Sequence, residues 1–130
     1  MTMRLSAQRV LDAFVARSQH HETHVVFGKR GSDAGNDGYV RVWGPSADLT
    51  NQHQANETCH INIECRYDGV SVSEQLAKAL GPKAQQRKRD HSAGPILGRF
   101  KWELVPDPNA SPDAIVDSLI GAFKKAGLTW

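Results

Sequence analysis

The sequence predicts a single α+β domain, residues 1–130, in which three helices cover one face of a four-stranded, mainly antiparallel sheet. Three observations lead to this fold class. Four segments read as strands, three others carry apolar residues at helical spacing, and most of the connections between strands are of the hairpin type. The predicted element order is α-β-β-β-α-β-α, with no internal repeat and no strong domain boundary.

The first predicted helix begins at Ser6, whose hydroxyl can cap it, and ends near residues 18–19. Two strands follow, at 23–28 and 38–44. The buried stripe of the helix is predicted from the 3–4 spacing of four apolar residues: Val10, Leu11, Phe14 and Val15.

A glycine-rich segment, GKRGSDAGNDG at 28–38, joins these two strands. It has neither the P-loop spacing nor the dinucleotide-binding spacing, and a strand rather than a helix follows it, so no helix N-terminus is available to hold a phosphate. We interpret it as a hairpin connection whose Lys29 and Arg30 reach over whatever the sheet binds.

The third predicted strand, CHINIECRY at 59–67, alternates almost without fault. Asp68-Gly69 ends it, Ser71 and Glu74 have the spacing of a capping box for the second helix, and Gly81-Pro82 stops that helix. Alternation places residues 59, 61, 63, 65 and 67 on one face and the polar residues on the other: His60, Asn62, Glu64 and Arg66.

The fourth predicted strand spans 96–105 and directs Phe100, Trp102 and Leu104 inward. The last helix is capped by Ser111, has Pro112 at its first position and stops at Gly127. Its predicted buried stripe consists of Ile115, Leu119, Ile120 and Phe123.

With the helices on one face, the other face of the sheet is expected to be partly open. Trp43 is the notable member of that face, because an exposed tryptophan often marks a contact. The reverse pleat, with Tyr39 and Trp43 in the core and Val40 and Val42 outside, is the alternative. The residues of the open face are Tyr39, Arg41, Trp43, His60, Asn62, Glu64, Arg66, Arg99, Lys101 and Glu103.

The leading functional hypothesis is a non-catalytic binding module that contacts a second copy of itself, as a homodimer, or a partner protein. Aromatic and arginine side chains together are typical of interface centres. The element order resembles, at the level of the fold alone, that of small dimeric secretion chaperones; those are generally acidic, whereas this chain has a formal charge of +2. The predicted contact residues are Tyr39, Arg41, Trp43, His60, Glu64, Arg66, Arg99 and Lys101.

Two other functions compete for the same face. A nucleic-acid-binding protein would add the basic run at 83–91, where each cation placed on a phosphate adds salt-dependent affinity. A metal-independent, ribonuclease-like phosphodiesterase would use His60 and Glu64, which lie about 13 Å apart along one strand. The cations of the basic run are Lys83, Arg87, Lys88 and Arg89.

No cofactor and no metal site is predicted. The histidines at 20, 21 and 24 straddle a helix end and a strand start, and neither CxxC nor HExxH occurs. Cys59 and Cys65 lie about 20 Å apart in one extended segment, which is beyond disulfide reach. Reduced thiols, the lack of a secretory signal and the lack of 18 consecutive apolar residues predict a cytoplasmic protein that does not enter the membrane.

Overall fold

The computed structural model describes residues 7–17, 24–28, 39–43, 50, 58–64, 69–87, 100–107 and 109–128. They form three α-helices and a sheet in which every pair of neighbouring strands is antiparallel, which confirms the predicted α+β class. The sheet has six strands rather than four, in the order β1-β2-β3-β4-β6-β5. The elements are α1 (Ala7–Ala16), β1 (His24–Gly28), β2 (Tyr39–Trp43), β3 (Ile61–Glu64), β4 (Gly69–Val72), α2 (Glu74–Leu80), a 3₁₀ turn (Gly81–Lys83), β5 (Ala84–Gln86), β6 (Trp102–Leu104) and α3 (Pro112–Lys125).

Strand β4 is one of the two strands that the sequence did not predict. Val70 and Val72 pair with Ile63 and Ile61 of β3 and are buried. The alternation of Val70, Ser71 and Val72 therefore continues the sheet where a helix start was expected. Ser71 does not cap α2; the cap is Ser73, whose side chain accepts a hydrogen bond from the Leu76 backbone at 3.4 Å.

Strand β5 is the second unpredicted strand, and it lies inside the basic run at 83–91. Ala84, Gln85 and Gln86 pair with Leu104, Glu103 and Trp102 of β6. Its composition is polar because backbone pairing, rather than burial of apolar side chains, holds it at the edge of the sheet.

The core lies between the three helices and one face of the sheet, as predicted. Since cross-strand partners project to the same side of a sheet, the register collects the β-branched residues of β2, β3 and β4 on a single face. Val40 and Val42 are fully buried, so the alternative pleat with these valines outside is wrong. The cluster comprises Val40, Val42, Ile61, Ile63, Val70 and Val72 from the sheet, Val10, Ala13 and Phe14 from α1, Leu76, Ala77 and Leu80 from α2, and Val116, Leu119, Ile120, Ala122 and Phe123 from α3.

The buried side of helix α1 differs slightly from the predicted one. Val10 and Phe14 are buried as expected, but Val15 is 60% exposed and the buried position belongs to Ala13. The prediction for Val15 was wrong because the side of α1 that carries Ala13 faces the core, while Val15 lies on the solvent side. The predicted cap, Ser6, lies outside the described residues.

The end of α1 is joined to the start of α3 by Arg17. Its guanidinium lies 3.2 Å from the Asp113 carboxylate and donates a hydrogen bond of 2.5 Å to Asp117. That hydrogen bond raises the pKa of Arg17 above its ordinary value. Both carboxylates are largely solvent-exposed and Arg17 is partly exposed, so the ion pairs are expected to add little to the stability of the fold.

Helix α3 is bounded as the sequence predicts. The Ser111 side chain accepts from the Ala114 backbone at 3.1 Å, and Pro112 occupies the first turn. At the other end, Gly127 has φ +82°, its N–H donates to the Lys124 carbonyl, and the Leu128 N–H donates to the Phe123 carbonyl, which is a Schellman motif. Across the part of the chain that the structure describes, no helix is long and apolar enough to span a bilayer.

Candidate binding surface

Hydrogen-bonding side chains run across the sheet on the face opposite the helices. The register aligns them strand by strand, so they share one face. The Arg41 Nε donates to the Asn62 Oδ1 at 2.9 Å, and the Gln85 Nε2 donates to the Glu103 Oε1 at 2.9 Å. We call this set the polar row: Arg41, Asn62, Ser71, Glu103 and Gln85.

The centre of the polar row is buried. Asn62 is 0% exposed and Ser71 is also buried, whereas Arg41, Gln85 and Glu103 are half-buried. The Asn62 Nδ2 has no hydrogen-bond partner within the described structure, and an unsatisfied buried donor costs about 1–3 kcal/mol. The expectation of an open face therefore does not hold in the middle of the sheet.

Trp43 is buried as well, with 4% of its surface exposed. The expectation that this side chain stands open on the sheet face is wrong. Trp43 follows the buried Val42 directly, so neighbouring residues on both sides of β2 are enclosed, and alternation alone could not reveal the second enclosure. Trp43 is not accessible as a contact residue in this conformation.

His60 does not lie on the open face of the sheet, where it was predicted. Its Nδ1 lies 3.0 Å from the Ser73 Oγ, and its ring packs edge-to-face on Phe123 of α3 with the ring centroids 5.5 Å apart. The alternation of β3 does not extend to this residue, which precedes the strand, and its ring therefore reaches the helix layer. His60 links β3, the start of α2 and α3, and this position gives the phosphodiesterase hypothesis no support.

A cleft of about 340 Å³ opens where β5 ends and β6 begins. The Arg87 N–H donates to the Lys101 carbonyl at 2.9 Å, which extends the β5–β6 pairing by one residue and places the two cationic side chains on the same face. Lys101 is exposed and Arg87 is half-buried. We call this the β5–β6 cleft; it is lined by Gln86, Arg87, Phe100, Lys101 and Trp102.

The structure places the predicted contact residues in different parts of the sheet. Arg41 belongs to the polar row, Lys101 belongs to the β5–β6 cleft, and Lys83 is exposed at the start of β5. Tyr39 and Glu64 pair through their backbones, and only the backbone is described for these two residues. The remaining predicted residues lie outside the described ones: Arg66, Lys88, Arg89 and Arg99.

Sequence reasoning missed Ser71, Gln85 and Gln86 because their strands were not predicted. The signal for Ser71 was present, since two valines flank it at strand spacing. Nothing in the local composition of Gln85 and Gln86 indicates a strand, and only the register with β6 identifies them.

The described ranges contain no candidate metal site. Among these residues, no three His, Cys, Asp or Glu side chains are grouped so that they could hold an ion. Cys59 is a free, buried thiol whose Sγ lies 3.2 Å from the Ile61 carbonyl oxygen. Cys65, His20, His21 and the connection at 29–38 lie outside the described residues.

Comparison of the chain with protein-family models, with curated proteins and with solved structures finds no match.

Proposed function

We propose that this protein is a non-catalytic binding module that holds another polypeptide in the β5–β6 cleft. The observation that carries the proposal is the composition of the cleft, in which two cations, Arg87 and Lys101, line the same cleft as the half-buried ring of Trp102, while Phe100, 2% exposed, is part of its wall. Aromatic and arginine side chains are enriched at the centres of protein interfaces, where they combine apolar contact with directional hydrogen bonds.

The accessible part of the face also favours this end of the sheet. On the face opposite the helices, Asn62, Ser71 and Trp43 are buried, whereas Lys101 is exposed and Arg87 is half-buried. A partner approaching this face therefore meets β5 and β6 before it meets the interior of the polar row.

A polypeptide fits the cleft better than a nucleic acid does. Base stacking needs an open aromatic ring, but Phe100 is only 2% exposed and Trp102 packs partly against the core.

The test is selection from a displayed random-peptide library, followed by NMR titration of the ¹⁵N-labelled protein with a selected peptide. We expect amide shifts in 84–87 and 100–103, and about fivefold weaker binding for Lys101→Glu, because the substitution replaces attraction by repulsion at the cleft. Lys125→Glu on α3 is the matched control and is expected to bind as the wild type does.

Shifts confined to other elements would contradict the proposal. So would tight binding of single-stranded oligonucleotides at low salt, in the absence of any selected peptide.

The homodimer hypothesis stays a prediction, and its main sequence argument, an exposed Trp43, is lost. Sedimentation equilibrium at micromolar concentrations measures the mass directly. A dimer requires twice the chain mass of 14.3 kDa, and a species that remains at the chain mass over the whole concentration range would contradict self-association.

A further inference from the structure

Among the strands that the structure describes, β5 is an edge strand of the sheet. The strand order ends at β5. The Val105 N–H donates to the Lys83 carbonyl and the Arg87 N–H donates to the Lys101 carbonyl, so residues 83, 85 and 87 direct their backbone groups toward β6. The alternation then directs the backbone groups of Ala84 and Gln86 outward.

Within the described part of the chain, three outward backbone groups are placed to pair with an added strand. The Ala84 N–H is already bonded to the Gly81 carbonyl, which leaves the Ala84 carbonyl together with the N–H and carbonyl of Gln86. Main-chain pairing at an exposed edge is a recurring way of binding an extended segment, with specificity supplied by the side chains at alternate positions.

The side chains along this edge carry a defined charge pattern. Lys83, Gln85 and Arg87 share the face opposite the helices, and the Gln85 amide is bonded to the Glu103 carboxylate. On a strand added to this edge, the residues opposite 83, 85 and 87 occupy non-hydrogen-bonded pairs, in which side chains approach most closely. Lys83 and Arg87 would then face two residues that are four positions apart.

The same pattern disfavours a second copy of this chain as the occupant. Two β5 strands related by a two-fold axis through Gln85 would keep the hydrogen-bonded positions in register, but each Lys83 would lie opposite an Arg87 of the other copy. Directly opposed like charges destabilise a strand pair.

We infer that the partner of the β5–β6 cleft is an extended acidic segment that adds as an antiparallel strand to the outer edge of β5, with carboxylates at positions i and i+4 opposite Lys83 and Arg87. This inference rests on the proposed function and specifies its partner. The backbone pairs at Ala84 and Gln86, and the aromatic side of the cleft receives the apolar residues that alternate with the acids.

The probe is a fluorescein-labelled peptide with the core Asp-Val-Thr-Val-Asp, and binding is measured by anisotropy and by NMR. A second peptide in which one Asp is moved by a single position directs the two carboxylates to opposite faces. We expect the shifted peptide to bind about fivefold more weakly, since it loses one charge pair and gains none.

Protein variants separate the charge from the backbone contribution. Arg87→Glu is expected to weaken binding about fivefold, and Lys125→Glu is expected to leave it unchanged. Gln86→Pro removes an outward N–H without touching the bonds to β6, at a position where an edge strand tolerates proline. It is expected to weaken binding about tenfold, which is more than Gln86→Ala does, because the alanine variant keeps that N–H. A peptide N-methylated at the amide that pairs with Gln86 tests the same bond on the unaltered protein.

The outcomes distinguish this inference from the function on which it rests. If Arg87→Glu weakens binding but the shifted and N-methylated peptides bind equally well, the cleft holds polypeptides but not as an added strand, and the inference fails alone. If none of the peptides shifts the resonances of 84–87, the inference fails. If, in addition, no peptide from the library binds at the cleft, the proposed function fails as well.

Discussion

Phe123→Ala is expected to lower the free energy of unfolding by about 3–5 kcal/mol, the usual cost of removing a buried aromatic ring. Phe123 is fully buried in the main cluster and packs edge-to-face with His60. The substitution removes apolar contacts and leaves a cavity between α3, α2 and the sheet, which the surrounding backbone fills only in part. Since small domains are stable by only about 5–15 kcal/mol, this single change removes a large share.

Denaturant unfolding followed by circular dichroism measures the effect, and Val15→Ala on α1 is its control. The sequence places both residues in apolar stripes, but Val15 is 60% exposed. Its replacement is expected to change the free energy of unfolding by no more than about 0.5 kcal/mol. Equal losses in the two variants would show that the helices pack differently from the structure described here.

Gly81→Ala is expected to lower the free energy of unfolding by about 1–3 kcal/mol, because Gly81 has φ +59° and ψ −124°, a conformation that L-residues avoid. A Cβ at this position would meet no atom within 4 Å, so the cost comes from the backbone alone. The residue ends α2 and begins the turn that leads into β5, so a change in its conformation also displaces the edge strand.

Gly121→Ala is the matched substitution, and it has the opposite expected sign. Gly121 lies in the exposed interior of α3, where a Cβ likewise meets no atom within 4 Å. Alanine there is expected to raise the free energy of unfolding by about 0.5–1 kcal/mol through helix propensity. Thermal or denaturant unfolding compares the two variants, and a neutral Gly81→Ala would contradict the described φ.

Local sequence patterns were sufficient to predict those elements that have solvent on one side and the core on the other. The cap of α3 at Ser111 and its stop at Gly127 are confirmed, because helix signals depend on residues only a few positions apart. Three of the four residues of its predicted stripe are buried; Ile115 is only partly buried, and Val116, which was not predicted, is fully buried. The same holds for β1 and β2, whose bounds differ from the predicted ones by at most one residue at each end.

Local sequence patterns gave wrong predictions for residues whose surroundings are formed by distant parts of the chain. Ser71 was assigned as a cap because its spacing to Glu74 suits one, yet pairing with Glu103 on β6 makes it part of a strand. Gln85 and Gln86 have no apolar alternation, and their structure depends on a partner strand sixteen to eighteen positions away. Trp43 shows the same limit, since alternation predicts which side a residue faces but not whether that side is covered.

The ion pair between Arg17 and Asp117 joins residues 100 positions apart, and this has a consequence for the order in which the protein acquires its structure during synthesis. Strands β1 to β4 pair with their immediate neighbours in the chain, so they are able to assemble as they leave the ribosome. Helix α1 emerges before them and contacts β1 and β2, but it also packs against α3, which is translated last of the elements described. At about 5–20 residues per second, the part of α1 that packs on α3 stays uncovered by that helix for on the order of 5–20 s in the nascent chain.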